Sequence, residues 1–151
     1  MSAGFGIIRD NMEEIIRPKL TLIRGIPGSG KSTYAKTHYN CLILENDMFH
    51  MQGGVYFFDP KRQNMAIDWC RSTCEGALAN GMDVVVANTF TKKRYIESYR
   101  ALAETYLADF EVIRCTGNFK NIHDVPENVF ELMKNGFEDW DGERIVSVTH
   151  P

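Results

Sequence analysis

Gly25-Ile26-Pro27-Gly28-Ser29-Gly30-Lys31-Ser32 is the stretch on which the reading of this chain turns. It fits the pattern G-x-x-x-x-G-K-[ST], and it stands in the context the pattern needs. Lys19 to Arg24 ahead of it reads as a buried strand, and Ser32 to Tyr39 behind it reads as a helix. The residue types have a chemical reason. Glycines let the backbone approach phosphates with no side chain in the way, so that successive N–H groups face one concavity. The helix that follows opens with unpaired N–H groups and a partial positive charge, which attract an anion. The pattern assigns Lys31 to the β- and γ-phosphates and the Ser32 hydroxyl to Mg²⁺. Gly25, Ile26, Pro27, Gly28, Ser29, Gly30, Lys31, Ser32 and Thr33 are therefore the candidate residues for a nucleoside triphosphate with Mg²⁺. ATP is the default over GTP, since such a loop reads phosphates and not the base. Gly28-Ser29-Gly30 belongs to this loop and is no dinucleotide fingerprint.

Outward from the loop, strand and helix patterns alternate. Cys41 to Leu44 is a second apolar run, ending in Glu45-Asn46-Asp47; Gly53-Gly54 and Asp59-Pro60 mark the turns of a loop. Lys61 to Asn80 has helical periodicity through Met65, Trp69, Thr73 and Leu78, with Gly81 as its stop. Asp83 to Ala87, with Val84-Val85-Val86, is the clearest buried strand; Lys92 to Tyr106 is helical, Phe110 to Arg114 a strand, Glu127 to Lys134 a helix and Arg144 to Val148 a last strand. Nearly continuous apolar strands separated by helices imply an α/β, three-layer sandwich, a mostly parallel sheet with helices on both faces. Residues 1–18 read as a lead-in and 19–151 as the domain. In the lead-in, Met12, Ile15 and Ile16 suit one face of a short helix ended by Pro18.

Composition bounds the function classes. At 151 residues with 44% hydrophobic and 25% charged residues, this is an ordinary globular domain able to bury a core. No apolar run approaches the roughly 20 residues that span a bilayer. Arg9, Asp10, Glu13 and Glu14 interrupt any secretory pattern, so a cytoplasmic location without membrane contact is expected. Cys41, Cys70, Cys74 and Cys115 have no finger spacing; Cys70 and Cys74 would share a helix face as packed thiols more readily than as a zinc pair. A net charge of −3 argues against a long duplex held through its phosphates, while leaving room for a short nucleic-acid end. Nothing in the sequence identifies a protein partner.

From Leu20 to Glu138 the chain resembles the small P-loop kinases that include the 5′-kinase domain of phage polynucleotide kinase, and relatives labelled AAA-type ATPase. The likeness rests on five anchors beyond the loop, in order: Asn46-Asp47 after the second strand; Gly54-Val55-Tyr56-Phe57-Phe58-Asp59-Pro60; Trp69; Asn88-Thr89 closing the third strand; and Asn121-Ile122-His123-Asp124-Val125-Pro126. It implies a P-loop NTPase fold and phosphoryl transfer from ATP with Mg²⁺ to a hydroxyl.

By that resemblance Asp47 is the general base, which fits the chemistry, because the attacking alcohol must lose a proton; the alternatives are a helix cap or a Mg²⁺ ligand through water. Glu45 ranks below it, since strand alternation aims it to the face opposite Asn46. Lys31, Asp47 and Lys120 are the catalytic candidates, and Ser32 and Asp47 those for the metal. Asn88, at a strand's C-terminal edge where open α/β sheets place ligands, either orients substrate or a Mg²⁺-bound water, or bonds its own turn. Lys92-Lys93-Arg94 opens a helix against the macrodipole, which suggests that Lys92 and Arg94 hold a substrate phosphate or else form a solvated cluster. Tyr56-Phe57-Phe58 offers base stacking or core packing, and His123-Asp124 is a helix start more readily than a metal pair.

Three departures from the pattern bear on the acceptor. Lys120 stands where the family has an arginine and lacks the bidentate fork. The segment before that motif is short. His50 stands where an arginine would meet the substrate, and Arg114 is a positional candidate for the missing cation. A polynucleotide 5′-hydroxyl is the leading acceptor; a small molecule such as a nucleoside or sugar, and a nucleotide-binding switch or ATPase module with little transferase activity, are the alternatives.

Overall fold

The computed structural model describes residues 7–9, 14–52, 55–56, 58–119 and 125–149. In chain order the elements are β1 (Ile7–Arg9), β2 (Glu14–Ile16), β3 (Lys19–Arg24), α1 (Lys31–His38), β4 (Leu42–Leu44), a 3₁₀ turn (Asn46–His50), β5 (Met51–Gln52) and β6 (Val55–Tyr56). A second 3₁₀ turn (Pro60–Arg62) leads into α2 (Gln63–Ala79), then β7 (Val84–Ala87), α3 (Lys93–Thr105), β8 (Asp109–Cys115), α4 (Glu127–Asn135) and β9 (Arg144–Val146).

A five-stranded sheet in the order β4-β7-β3-β8-β9 organises the molecule, and every pairing in it is parallel. β3 lies at its centre because all its residues after Lys19 are buried, as a strand covered on both faces requires. Val84 to Ala87 of β7 are likewise buried, with Leu20 in register with Val84 on one side and Phe110 on the other.

Alternation along the strands divides the core in two. Leu20, Leu22, Leu44, Val84, Val86 and Val112 point to the face covered by α2 and α3, where they meet Cys70, Cys74, Leu78, Ile96, Tyr99 and Leu102. Ile23, Val85, Ala87, Ile113 and Cys115 point to the opposite face and meet Ala35 of α1. Cys70 and Cys74 are thus core residues, and burial pushes the Cys74 thiol up to about 12. All four cysteines are free thiols.

The chain leaves β3 on one side to form β4, returns to insert β7 between them, and then crosses to β8. The C-terminal end of β3 is therefore the topological switch point, where such sheets form a crevice. Among the described residues, no helix is long and apolar enough to cross a membrane.

The lead-in differs from its expected helix. Glu14–Ile16 is a strand, antiparallel to Ile7–Arg9 with Ile8 opposite Ile15. β-Branched Ile15 and Ile16 favour extended backbone, and Pro18 disfavours helical geometry at the residue before it. Met12 lies outside the described residues. The hairpin of β5 and β6 and the 3₁₀ turn at Asn46–His50 carry no periodicity that a sequence reading can use, being five residues or fewer.

Candidate functional site

The loop from Gly25 to Gly30 joins β3 to α1 at the switch point. Its geometry requires glycine at particular places. A Cβ on Gly25 would overlap the Ser29 hydroxyl and lie 2.9 Å from the Cys115 carbonyl oxygen. Gly30 has φ +94° and a Cβ there would meet Val148 Cγ1 at 2.7 Å, so side chains are excluded on both conformational and steric grounds. The loop is braced from β8's side: Gly117 N–H donates to Ser29 O at 2.9 Å and Phe119 N–H to Gly28 O at 2.7 Å. Ser29 is fully buried, and its hydroxyl has no hydrogen-bond partner among the described residues.

Gly30 is also the N-cap of α1 and supplies no side-chain cap, so the first-turn N–H groups stay open to an anion. Lys31 folds back over the loop and donates from Nζ to Ile26 O at 3.2 Å. Burial lowers its ammonium to a pKa of about 8, against the opposing pull of Cys115, Glu45 and Asp47. Two carboxylates therefore lie near enough to act on the charge of the loop's lysine.

One of them is the residue that sequence reasoning ranked second. Ser32 Oγ donates to Glu45 Oε1 at 2.7 Å. Alternation does aim Glu45 away from Asn46, but the face it reaches is that of Ile43, which packs with Ala35 of α1. That face is the one on which Ser32 begins its helix. Asp47 follows in the 3₁₀ turn Asn46–His50, half-buried. Ser32, Glu45 and Asp47 supply hydroxyl and carboxylate oxygens, the hard donors a magnesium ion takes alongside phosphate oxygens and water. The donor chemistry fits that ion. Among the described residues, no group of three or more His, Cys, Asp or Glu forms an all-protein metal site.

Asn88, at the end of β7, clamps the turn that carries Asp47. Its Oδ1 accepts from Asn46 N–H at 2.8 Å and its Nδ2 donates to Asn46 Oδ1 at 3.1 Å. This reciprocal amide pair joins residues 42 apart, so it is not a bond of Asn88 to its own turn. Asn46, Asn88 and the Thr89 to Thr91 stretch then form one wall of a cleft of about 300 Å³, whose other walls come from α2, α3 and Met133 of α4.

The remaining candidates separate. Arg94 lines the cleft, its guanidinium 4.8 Å from the Tyr95 ring centre. Lys92 lies elsewhere: its Nζ donates to Gly136 O at 2.7 Å, at the C-terminus of α4. A cation there complements that helix's dipole, which answers the apparent misfit at the start of α3. His50 is fully buried, with Nε2 2.9 Å from Gln63 Oε1 and its ring 5.1 Å from that of Phe58. The expectation that His50 meets the acceptor does not fit this placement. Arg114 is no replacement cation for the cleft, since it pairs with Asp139 at 2.7 Å and Glu143 at 3.5 Å. Phe58 is half-exposed beside His50, while the side chains of Tyr56 and Phe57 lie outside the described residues, as do Lys120 and Asn121 to Asp124.

Sequence reasoning missed Arg71. It lies on α2, lines the cleft, and donates from Nε to Ser98 Oγ at 2.8 Å. No motif contains it; its only signal is a cation in the middle of an otherwise core-forming helix.

A central parallel strand, a glycine-rich loop at the switch point and a lysine-serine helix start define a P-loop α/β protein with a kinase-like fold. The chain belongs to the AAA-domain family, whose model matches residues 20–123. Human NEDD4-binding protein 2 is 30% identical over 117 residues, which are 70% of this chain and 7% of that protein. The chain thus spans a small fraction of that relative's length. Among solved structures, the Pnkp1/Rnl/Hen1 RNA repair complex is 26% identical with a TM-score of 0.56, covering 83% of this chain and 39% of that one. The APS kinase of Mycobacterium tuberculosis, in complex with AMPPNP and APS, is 14% identical with a TM-score of 0.60, covering 89% and 91%; at that identity it shows the fold alone.

Proposed function

We propose that this protein transfers the γ-phosphoryl group of ATP to a hydroxyl held in the cleft beside Asn46 and Asn88, with a polynucleotide 5′-hydroxyl as the acceptor. The observation that carries this reading is that Ser32 meets Glu45 beside the phosphate loop and that Glu45 and Asp47 both act on the charge of Lys31, while Asn46 between them lines the cleft. A plain nucleotide-binding turn needs no second carboxylate acting on its lysine, whereas in-line transfer needs one group for the metal and one for the proton.

In this reading the α1 N-terminus and Lys31 bind the β- and γ-phosphates. Glu45 and Ser32 would hold the magnesium ion, which would neutralise charge that builds on the transferring group. Asp47 accepts the proton of the attacking hydroxyl as its oxygen bonds to the γ-phosphorus and the bond to the β–γ bridging oxygen breaks, releasing ADP. The Asn46–Asn88 clamp sets where Asp47 stands. Lys120, by family resemblance, supplies charge to the transferring phosphoryl group. The likeness to the RNA repair complex supports a nucleic-acid acceptor. A cleft of about 300 Å³ also suits a nucleoside- or sugar-sized acceptor, the second reading.

Incubation with γ-labelled ATP and either a 5′-hydroxyl oligonucleotide or a metabolite mixture separates them. Label on the oligonucleotide that disappears in Asp47→Ala is the expected result. Label confined to small molecules replaces it with the second reading, and tight nucleotide binding with no transfer overturns both.

A further inference from the structure

We infer that Met48 is an oxidation site that controls magnesium-dependent nucleotide binding: its thioether holds the backbone of Glu45, and conversion to the sulfoxide by a hydroperoxide releases it. This rests on Glu45 and Ser32 holding the metal.

Glu45 follows β4 in extended backbone, with φ −139° and ψ 144°, and Met48 stands three residues on, in the 3₁₀ turn. Two bonds join the pair in opposite directions. Met48 N–H donates to Glu45 O at 3.0 Å and closes the turn. Glu45 N–H donates to Met48 Sδ at 3.2 Å. The thioether thus takes the place that a glutamine or glutamate side chain fills in a capping box. It fixes the backbone at Glu45, whose carboxylate accepts from Ser32 Oγ at 2.7 Å. This hold is chemically vulnerable. Thioether sulfur is a weak acceptor, and a second lone pair remains beside the one that the N–H engages. Met48 is 44% exposed, so an oxidant reaches it. Met51, Met65 and Met82 are as exposed, at 45%, 54% and 48%. What sets Met48 apart is that its sulfur is bonded to the residue that meets the phosphate loop's serine. In the oxidation the O–O bond of the hydroperoxide breaks, its terminal oxygen bonds to sulfur, and water or an alcohol leaves. The sulfur gives up two electrons and the peroxide takes them. In the sulfoxide the acceptor is an oxygen one bond length beyond the sulfur, on a bulkier and polar group. The 3.2 Å contact with Glu45 N–H is then lost, and the Glu45 carboxylate shifts from Ser32.

The test exposes the full chain to hydrogen peroxide and then to dithiothreitol, which restores reversibly oxidised thiols such as that of the partly exposed Cys41 and leaves sulfoxides in place. Peptide mass spectrometry follows the state of Met48. With Met48 oxidised, the magnesium concentration for half-maximal binding of a fluorescent ATP analogue should rise about threefold to tenfold, as for one lost hydrogen bond, while metal-free nucleotide binding holds. Treatment with methionine sulfoxide reductase should reverse the change. Met48→Leu should show the raised magnesium requirement before peroxide and no further change after it. Met48→Gln, with a carboxamide oxygen to accept the Glu45 N–H, should recover part of that loss and resist peroxide. An unchanged magnesium response with Met48 oxidised, or an equal peroxide effect in Met48→Leu, overturns the inference. Glu45→Gln separates this failure from that of the metal reading. Where Glu45→Gln raises the magnesium requirement and oxidation of Met48 does not, the inference alone falls. Where Glu45→Gln leaves the requirement unchanged, the metal reading falls and takes the inference with it.

Discussion

The Ser32 hydroxyl donates to the Glu45 carboxylate across 2.7 Å, linking the start of α1 to the residue just past the end of β4. A serine already held by a carboxylate is poised to share a cation with it. Glu45→Gln keeps the size and a hydrogen-bonding oxygen but loses the charge. The magnesium concentration for half-maximal nucleotide binding should rise about tenfold or more, as for loss of one charged interaction. Binding of metal-free nucleotide should hold or improve, because a negative charge near the phosphates has gone. A fluorescent ATP analogue titrated with and without magnesium measures both; an unchanged magnesium response would remove Glu45 from the site.

Lys31 gives the site a pH dependence whose sign follows from its environment. Burial lowers its pKa from 10.5 to about 8 in the free protein, while bound phosphates would raise it again. Nucleotide affinity should be flat below pH 8 and fall by up to about tenfold per unit above it, with a proton taken up on binding in that range. For folding the sign is opposite to that of a lysine with an ion-pair partner. The unfolded chain holds the proton more tightly, so the penalty for burying this ammonium is full below pH 8 and recedes between pH 8 and 10.5. Calorimetry in buffers of different ionisation enthalpy measures the proton uptake. Lys31→Ala should abolish both nucleotide binding and its pH dependence.

The parts legible in the sequence are those whose cause is local. Leu20 to Ile23 and Val84 to Val86 read as buried strands because they are covered on both faces, and the Gly25–Ser32 loop because its chemistry is contiguous. Parts that depend on distant partners were read incompletely. Alternation gave the correct face for Glu45, but only the position of α1 shows that this face carries Ser32. For Asn88, the sequence leaves a ligand-orienting and a turn role open and cannot show the clamp, because Asn46 is remote in sequence. Lys92 looked misplaced at the start of α3 because the helix it serves ends at Gly136. Ile15 and Ile16 were read for helical spacing although their β-branching and the nearby Pro18 favour the strand they form.

The Asn46–Asn88 pair makes a further expectation concrete. Asn88→Ala leaves Asn46 N–H without its 2.8 Å acceptor and frees the turn that carries Asp47. Stability should fall by about 1–3 kcal/mol, the cost of an unmade hydrogen bond at a partly buried donor. If Asp47 acts on the acceptor hydroxyl, kcat should fall more than stability explains, with the KM for ATP little changed. Kinetics at saturating ATP, run well below the melting temperature of the variant, distinguish loss of position from loss of fold. An unaltered kcat would make the clamp purely structural.

Away from the cleft, Arg24 at the end of β3 anchors the segment after α4. It is fully buried and donates to Phe90 O at 2.8 Å, to Glu138 O at 2.6 Å and to Glu143 Oε1 at 2.6 Å, with its guanidinium 4.1 Å from the Phe137 ring centre. Phe90 has φ +45°, a strained conformation for a side chain of that size, and it lies two residues past Asn88. The buried arginine thus holds the backbone from which the cleft wall is built. Glu143→Leu strands that charge and should cost about 3–5 kcal/mol. Arg24→Met combined with Glu143→Leu removes both charges, and should be more stable than Glu143→Leu alone, although the Phe90 and Glu138 carbonyls then lose their donor. Urea denaturation of the two single variants and the double variant gives the coupling energy. Additive losses would show that Arg24 acts through those carbonyls, and that Glu143 contributes nothing specific to the anchor.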